Sequence, residues 1–387
     1  MDAPPPPLPL GGGAREFDVA IVGAGVTGAL VADALTSEGL SVIVLDRRAP
    51  ASGSTAASTA LLSYEIDVDL TRLIEKVGEA DAARAYQLSA ASVGALGRIA
   101  ESLGVPCGFA PRSSLYLASH RRHTGRLERE VAVRQRHGLD ADFWTRERVE
   151  QTYGFPGYGA LRTGCAGVID PVRLTRGLLE RAVAGGASLL SRTRVRAVER
   201  SGAGTRLTTD HGEVRARWVV YAMGYETPEA LQPDMVALHS TYALATEPVD
   251  DLGPWQDECL VWETSRPYFY MRTTEDRRIL IGGADAPFKN VTWRDRLMPD
   301  RARRLEKRLH TLLPSVATET AYTWAGTFAE TRDGLPFIGP SASCPQALFA
   351  LGYGGNGITF GVVAADILRD LCLGRPNDDA RLFRLDR

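Results

Sequence analysis

Gly23, Gly25 and Gly28 are spaced G-x-G-x-x-G within DVAIVGAGVTGALVADALTSEGLSVIVLDR, the stretch from Asp18 to Arg47. That spacing has a direct chemical use. Gly23 permits a sharp turn, Gly25 leaves its backbone open to a pyrophosphate, and Gly28 lets a helix pack closely on a strand. The helix that follows aims its free N–H groups and positive dipole end at the phosphates. Asp46 ends the second apolar run, where a carboxylate accepts hydrogen bonds from ribose hydroxyls. With strand, helix and acid in the required order, the stretch reads as a dinucleotide site. It does not choose between FAD and NAD.

Two further stretches could face a bound dinucleotide. Ser52 to Thr59 is small and hydroxylated. It can lie against a flat ring or a diphosphate, or serve as a flexible linker. Gly352-Tyr-Gly-Gly-Asn-Gly357 precedes a helical pattern and forms a second anion or carbonyl site. No second intact G-x-G-x-x-G follows a strand, so no NAD(P)H site is expected. Gly282-Gly283 lies between alternating segments and lacks the helix. His120, His123 and His137 fall on a polar segment whose charges of both signs suggest a solvated face.

The elements that position these groups follow from periodicity. Val19–Val22 and Ser41–Leu45 are short strands around a helix with an apolar face at Val26, Leu30, Val31, Ala34 and Leu35. Leu70 to Leu103 reads mostly as helix, and His120 to His137 as another. Asp170 caps a helix that has Pro171 at its first position and Leu174, Leu178, Leu179 and Val183 as its buried stripe. Strands follow at 194–199, 205–209 and 214–221. Residues 225–324 alternate in short segments, the pattern of an antiparallel sheet, with a helix over 301–313. A strand at 348–351 and a helix over 358–373 close the chain.

The 387 residues fit two domains or one large α/β unit, and 44% hydrophobic content supports a sizeable core. A net charge of −2 gives no reason to expect nucleic acid or an anionic membrane as partner. Five scattered cysteines without a C-x-x-C or a histidine cluster argue against a metal site and a disulfide framework, and fit a reducing cytoplasm. No apolar run is long enough to span a membrane. MDAPPPPLPLGGG at residues 1–13 lacks the features of a signal peptide and reads as a disordered Pro/Gly tail, or less simply as a PxxP ligand.

In this order and spacing, GAGVTG with Asp46, STAASTALL, VIDPVRL, VVYAMG, WAG…DGLPFIG and GYGGNGIT make the chain resemble the D-amino-acid oxidase or glycine oxidase superfamily of FAD-dependent oxidoreductases. The resemblance covers almost everything after the tail. It implies an α/β fold: an FAD-binding Rossmann-like domain of glutathione-reductase type with an inserted antiparallel β-sheet substrate domain. The first would take 14–85, 157–224 and 325–375, the second 86–156 and 225–324. By position, Gly23, Gly25, Gly28, Asp46 and Arg47 would hold the ADP half of FAD. Ser54, Thr55 and Ala57 would line the diphosphate and flavin edge, and Val195 would meet the adenine. Ala222 and Gly224 would close over the diphosphate. Gly355, Asn356, Gly357, Ile358 and Thr359 would sit at the pyrimidine end of the flavin, where a helix dipole stabilises negative charge. The FAD would be bound non-covalently, since Trp324–Gly339 and Gly352–Thr359 hold no cysteine or histidine.

The departures bear on the substrate. Relatives that oxidise amino acids place an arginine shortly after WAG, where this chain has Phe328, and glycine oxidases place another just before Asn-Gly, where it has Gly355. A pocket tyrosine does match, at Tyr268. Strand alternation puts Tyr268, Tyr270 and Arg272 on one face. Arg272 is then either a relocated carboxylate anchor or a solvated strand end. Asp285 and Glu263 lie near pocket-lining positions, to attract an ammonium group or as surface acids. The expected reaction is removal of a hydride from a C–N bond of a small amine or amino acid, with hydrolysis of the imine and reoxidation by oxygen or another acceptor. Two alternatives stand beside it. One is a dehydrogenase of alcohols or 2-hydroxy acids, for which His211 and His239 are the unassigned proton acceptors. The other is a flavin-carrying electron-transfer subunit.

Overall fold

The structure, a computed structural model, describes residues 15–201, 204–226, 235–255, 258–341 and 344–387. The tail expected over 1–13 lies outside them.

The strands among the described residues form two sheets. The first has eight strands. Its path runs Phe337–Ser341, Cys344–Leu351, Gly212–Tyr221, Arg15–Val22, Val42–Leu45, Ser188–Leu190. All neighbours on it are parallel except the first pair. Alternate residues of the central strands feed two different cores. Val19, Ile21, Val42 and Val44 pack under the helices Val26–Ser37, Pro171–Ala184 and Gly357–Leu373, while Ala20, Val22, Ile43 and Leu45 face Leu190, Leu207 and Val214. Burial on both faces is why these strands read as continuous apolar runs. Asp170 caps its helix as expected, its Oδ1 accepting from the N–H groups of Val172 and Arg173 at 2.9 Å.

The second sheet has nine strands: eight on the path Thr320–Thr331, Val236–Thr246, Ile279–Pro287, Phe269–Thr273, Leu260–Glu263, Ala110–Leu117, Ala160–Val168, Leu61–Ser63, and Asp142–Trp144 paired beside Ala160–Val168. It is antiparallel apart from the pair Leu260–Glu263 and Ala110–Leu117. Leu305, Leu309 and Leu312 of the helix Val291–Leu312 cover one face of it.

Several expectations need correction. The second sheet reaches beyond 86–156 and 225–324: it takes Leu61–Ser63, Ala160–Val168 and the end of Thr320–Thr331. Alternation marks a short strand but not the sheet it joins, and these strands enter the second sheet through pairings distant in sequence. The helix read over 301–313 begins at Val291, where Asn290 accepts from the N–H of Trp293 at 2.8 Å, and continues through Pro299. The helix read over 70–103 breaks at Gly78, whose φ is 89°. Val183 is exposed, and Ala182 takes its place in the buried stripe. The polar helix Thr124–Arg136 is not wholly solvated. Glu130 and Arg134 are fully buried in it, paired at 2.8 Å. Glu130 also accepts the N–H groups of Leu70 and Thr71 at the start of the helix Leu70–Val77, so its charge is satisfied without water.

Candidate functional site

A cavity of about 610 Å³ runs from the carboxyl ends of the first sheet's parallel strands to the second sheet. That is the crevice where open α/β sheets place ligands. The turn between the first strand and first helix is built as the glycines require. Gly23 has φ 116°, and a Cβ there would collide with the carbonyl of Ala222. A Cβ on Gly28 would collide with the carbonyl of Gly23, so Gly28 lies behind the cavity and sets how closely the helix approaches. Asp46 Oδ2 accepts from the N–H of Ala24 at 2.8 Å and Oδ1 from that of Arg48 at 2.7 Å. The Thr55 hydroxyl accepts from the N–H of Val26 at 3.0 Å. Trp324 Nε1 donates to the carbonyl of Ala57 at 2.9 Å, tying the hydroxylated segment to the second sheet.

The far end is formed by the helix Gly357–Leu373 and the second sheet. Asn356 Nδ2 donates to the carbonyl of Glu65 at 2.9 Å, which fixes the helix N-terminus against the cavity wall. Tyr268 donates from its hydroxyl to Asp67 Oδ1 at 2.8 Å, and Gly355 from its N–H to Asp67 Oδ2 at 2.7 Å. Burial pushes the Tyr268 phenol well up and that of Tyr270 up to about 12, so both stay protonated donors. Gly282 leaves the space that the Tyr270 ring occupies. Asp285 is aimed by a β-bulge. Between the pairs Ser240–Ala286 and Tyr242–Gly283, Thr241 faces two residues, Ala284 and Asp285. Ala284 sits there at φ 54°. Burial pushes the Asp285 carboxyl up to about 6, against a pull downward from the Thr241 hydroxyl.

The sequence-predicted residues fall into place unevenly. Gly23, Gly25, Asp46, Arg47, Ser54, Thr55, Ala57, Val195, Ala222, Gly224 and Gly355 through Thr359 all line the cavity, as do Tyr268, Tyr270, Phe328 and Asp285. Arg272 does not. It is 7% exposed, and its guanidinium donates to the carbonyls of Thr59 and Thr273. It is therefore neither a solvated strand end nor an anchor inside the cavity. It braces the backbone at Thr59, which does line it. Burial without a carboxylate partner pulls Arg272 down to about 10. Glu263 is buried, paired with Arg308, and outside the cavity lining. His211 is exposed beside the carbonyl of Arg192, and His239 stacks on Phe328 with ring centroids 5.3 Å apart. Neither histidine lines the cavity. Asp67, Glu65, Thr241 and Trp262 line it without having been singled out, and no local pattern marks them.

These features fit a bound FAD. The glycine turn holds space that a Cβ would fill, two helix N-termini border the cavity, and the lining runs unbroken from Asp46 to the tyrosines. No cysteine or histidine lines it among the described residues. Among the described residues no cluster could hold a metal ion, and no helix is long and apolar enough to cross a membrane.

Comparison with known proteins agrees. The family described as FAD dependent oxidoreductase, DAO, matches residues 18–371. The glycine oxidase of Bacillus subtilis (strain 168) is 23% identical over 96% of this chain and 98% of its own length. The probable oxidoreductase OrdL of Rhizobium meliloti (strain 1021) is 24% identical over 96% and 87%. The crystal structure of glycine oxidase from Geobacillus kaustophilus superposes with a TM-score of 0.84 at 21% identity, covering 97% of this chain and 99% of that one.

Proposed function

The chain belongs to the DAO family of FAD-dependent oxidoreductases, and we propose that its reaction is oxidation of a C–N bond in a small amine. Bound FAD supplies the two-electron acceptor for the hydride leaving the carbon beside nitrogen, and the resulting imine is hydrolysed in water. The protein's own part is to bind, orient and keep water out. Gly23, Gly25, Asp46, Thr55 and Val195 would hold the ADP half. Ala57, Asn356 and Gly357 would hold the flavin end, with the helix dipole at Gly357 favouring negative charge on the reduced ring. Tyr268, Phe328 and Trp262 would wall the substrate.

The observation that carries the reading is the composition of the far end of the cavity. It is aromatic and acidic, and the histidines and arginines of the chain stay out of it. Oxidation of an alcohol needs a positioned acceptor for the hydroxyl proton, and His211 and His239 are not placed for that. A 2-hydroxy acid would also need a partner for its carboxylate. An amine needs no carboxylate partner; bound as an ammonium, it gives one proton to a lining carboxylate or to water before the hydride leaves, a far easier transfer than from an alcohol hydroxyl. A pure electron carrier has no use for a walled pocket beyond the flavin site. Oxygen or another small acceptor completes the cycle in this reading.

The test is anaerobic mixing of the flavin-loaded protein with panels of amines, amino acids, alcohols and 2-hydroxy acids. Bleaching of the flavin by amines, with a carbonyl product released, supports the reading. Bleaching by hydroxy compounds alone would replace it with a dehydrogenase, and bleaching by none with a carrier.

A further inference from the structure

The two ends of the cavity differ in charge. Arg47, Arg48 and Arg194 line the Asp46 end, where Glu226 pairs with Arg47 at 2.6 Å and Arg48 at 3.2 Å. At the other end the charged lining groups are Glu65, Asp67 and Asp285, all acids. Glu65 is already engaged by Arg134 at 3.3 Å and by the Ser114 hydroxyl at 2.7 Å. Asp67 holds Tyr268 and Gly355. Asp285 is different: its Oδ1 is shut off from solvent and has no hydrogen-bond partner. A buried carboxylate oxygen without a donor is costly. The bulge that aims it puts two strand residues against one, with Ala284 in the left-handed region. The Thr241 hydroxyl bears on this carboxylate as a neutral donor, and no cationic side chain lines this end of the cavity; the positive charge the carboxylate lacks is one a ligand in the cavity can bring.

We propose that Asp285, with Asp67 as its neighbour, holds the substrate as a cation and so selects ammonium compounds that carry no carboxylate beside the nitrogen. This rests on the C–N reading above and names its substrate class. A carboxylate in the same place would meet two like charges and no guanidinium. The missing arginine at 355 belongs to the same arrangement. A Cβ there would stand 3.1 Å from Asp67 Oδ2, so Gly355 and the Asp67 carboxylate occupy the space together. The charged and titratable groups that bear on Asp285 are Asp67, Glu330 and Arg266, with Tyr268 and Tyr270 beside them. Arg266 is turned to the carbonyl of Asp67 at 2.8 Å and does not line the cavity.

The probes are tert-butylammonium and trimethylacetate, matched in shape and opposite in charge. Neither has a hydrogen on the carbon a flavin would oxidise, so binding is read without turnover, from perturbation of the flavin spectrum and by calorimetry. Tert-butylammonium should bind on the order of tenfold or more tighter than trimethylacetate. Asp285→Asn should erase that preference and Asp285→Glu should keep most of it, with FAD content and melting temperature reporting on the fold. If Asp285→Asn loses its FAD, Asp67→Asn must lose the preference under the same measurement. Equal or tighter binding of trimethylacetate, binding of neither probe, or an undiminished preference in the foldable variant overturns the proposal. None of these outcomes depends on whether amines reduce the flavin, so the C–N reading stands or falls separately.

Discussion

Asp285→Asn should make the protein more stable while weakening its grip on cations. The carboxyl is held at about 6 against an ordinary 3.8, with burial the largest cause. At about 1.4 kcal/mol for each tenfold change in proton affinity, the ionised group is about 3 kcal/mol less favourable folded than unfolded. The sign follows from proton counting. Below about pH 4 the carboxyl is neutral in both states and costs nothing. Between about pH 4 and 6 the unfolded chain ionises while the folded carboxyl stays protonated, so the penalty grows across that range and is complete above about 6. Asparagine carries no charge, though it keeps a buried polar group, so the gain should be about 2–3 kcal/mol near neutrality and fade towards pH 4. Urea unfolding of the flavin-loaded wild type and variant, at equal FAD, on both sides of that window measures it. Coincident midpoints at both pH values, or a variant less stable at neutral pH, would refute the argument. A gain in stability coupled to lost cation binding is the trade-off expected of a site that keeps an unfavourable charge for use.

Three other outcomes follow from the same geometry. Gly28→Ala should lose FAD and fold poorly, because a Cβ there collides with the backbone carbonyl of Gly23; near-normal FAD content in the purified variant would count against the turn as drawn. Acid precipitation should leave the yellow colour in the supernatant, since no cysteine or histidine lines the cavity among the described residues, and colour in the pellet would mean a covalent link. Arg272→Ala should lower stability by about 1–3 kcal/mol through the freed carbonyls of Thr59 and Thr273, without a KM effect confined to carboxylate substrates; such a confined effect would restore Arg272 as an anchor.

The dinucleotide half of the site was legible because its signals are local. Strand, glycine turn, helix and Asp46 lie within thirty consecutive positions, Asp18 to Arg47, and Gly23 and Gly28 answer backbone clashes with Ala222 and within that turn. The substrate end was legible only in part. Strand alternation correctly put Tyr268, Tyr270 and Arg272 on one face, but alternation cannot tell where along that face the cavity ends. The backbone at Thr59 covers Arg272, and that contact spans the chain. Asp285 faces the cavity because of a bulge defined by pairing with Thr241, which no run of residues near 285 announces. Asp67 matters through Tyr268 and Gly355, both far away in sequence. Glu130 and Arg134 read as surface charges because the helix around them is polar, and their burial rests on their mutual pairing together with the N–H groups of Leu70 and Thr71 and the carboxylate of Glu65.

The most direct test of the account uses substrates that differ by one group. Methylamine and glycine, and ethylamine and D-alanine, form pairs in which the second member adds only a carboxylate. Each is mixed anaerobically with the flavin-loaded protein and the rate of flavin bleaching is followed. The account predicts that the amine of each pair reduces the flavin faster, on the order of tenfold or more in kcat/KM, because a carboxylate there meets Asp67 and Asp285 and no guanidinium. Glycine and D-alanine reducing it as fast as their amines, or faster, would contradict it.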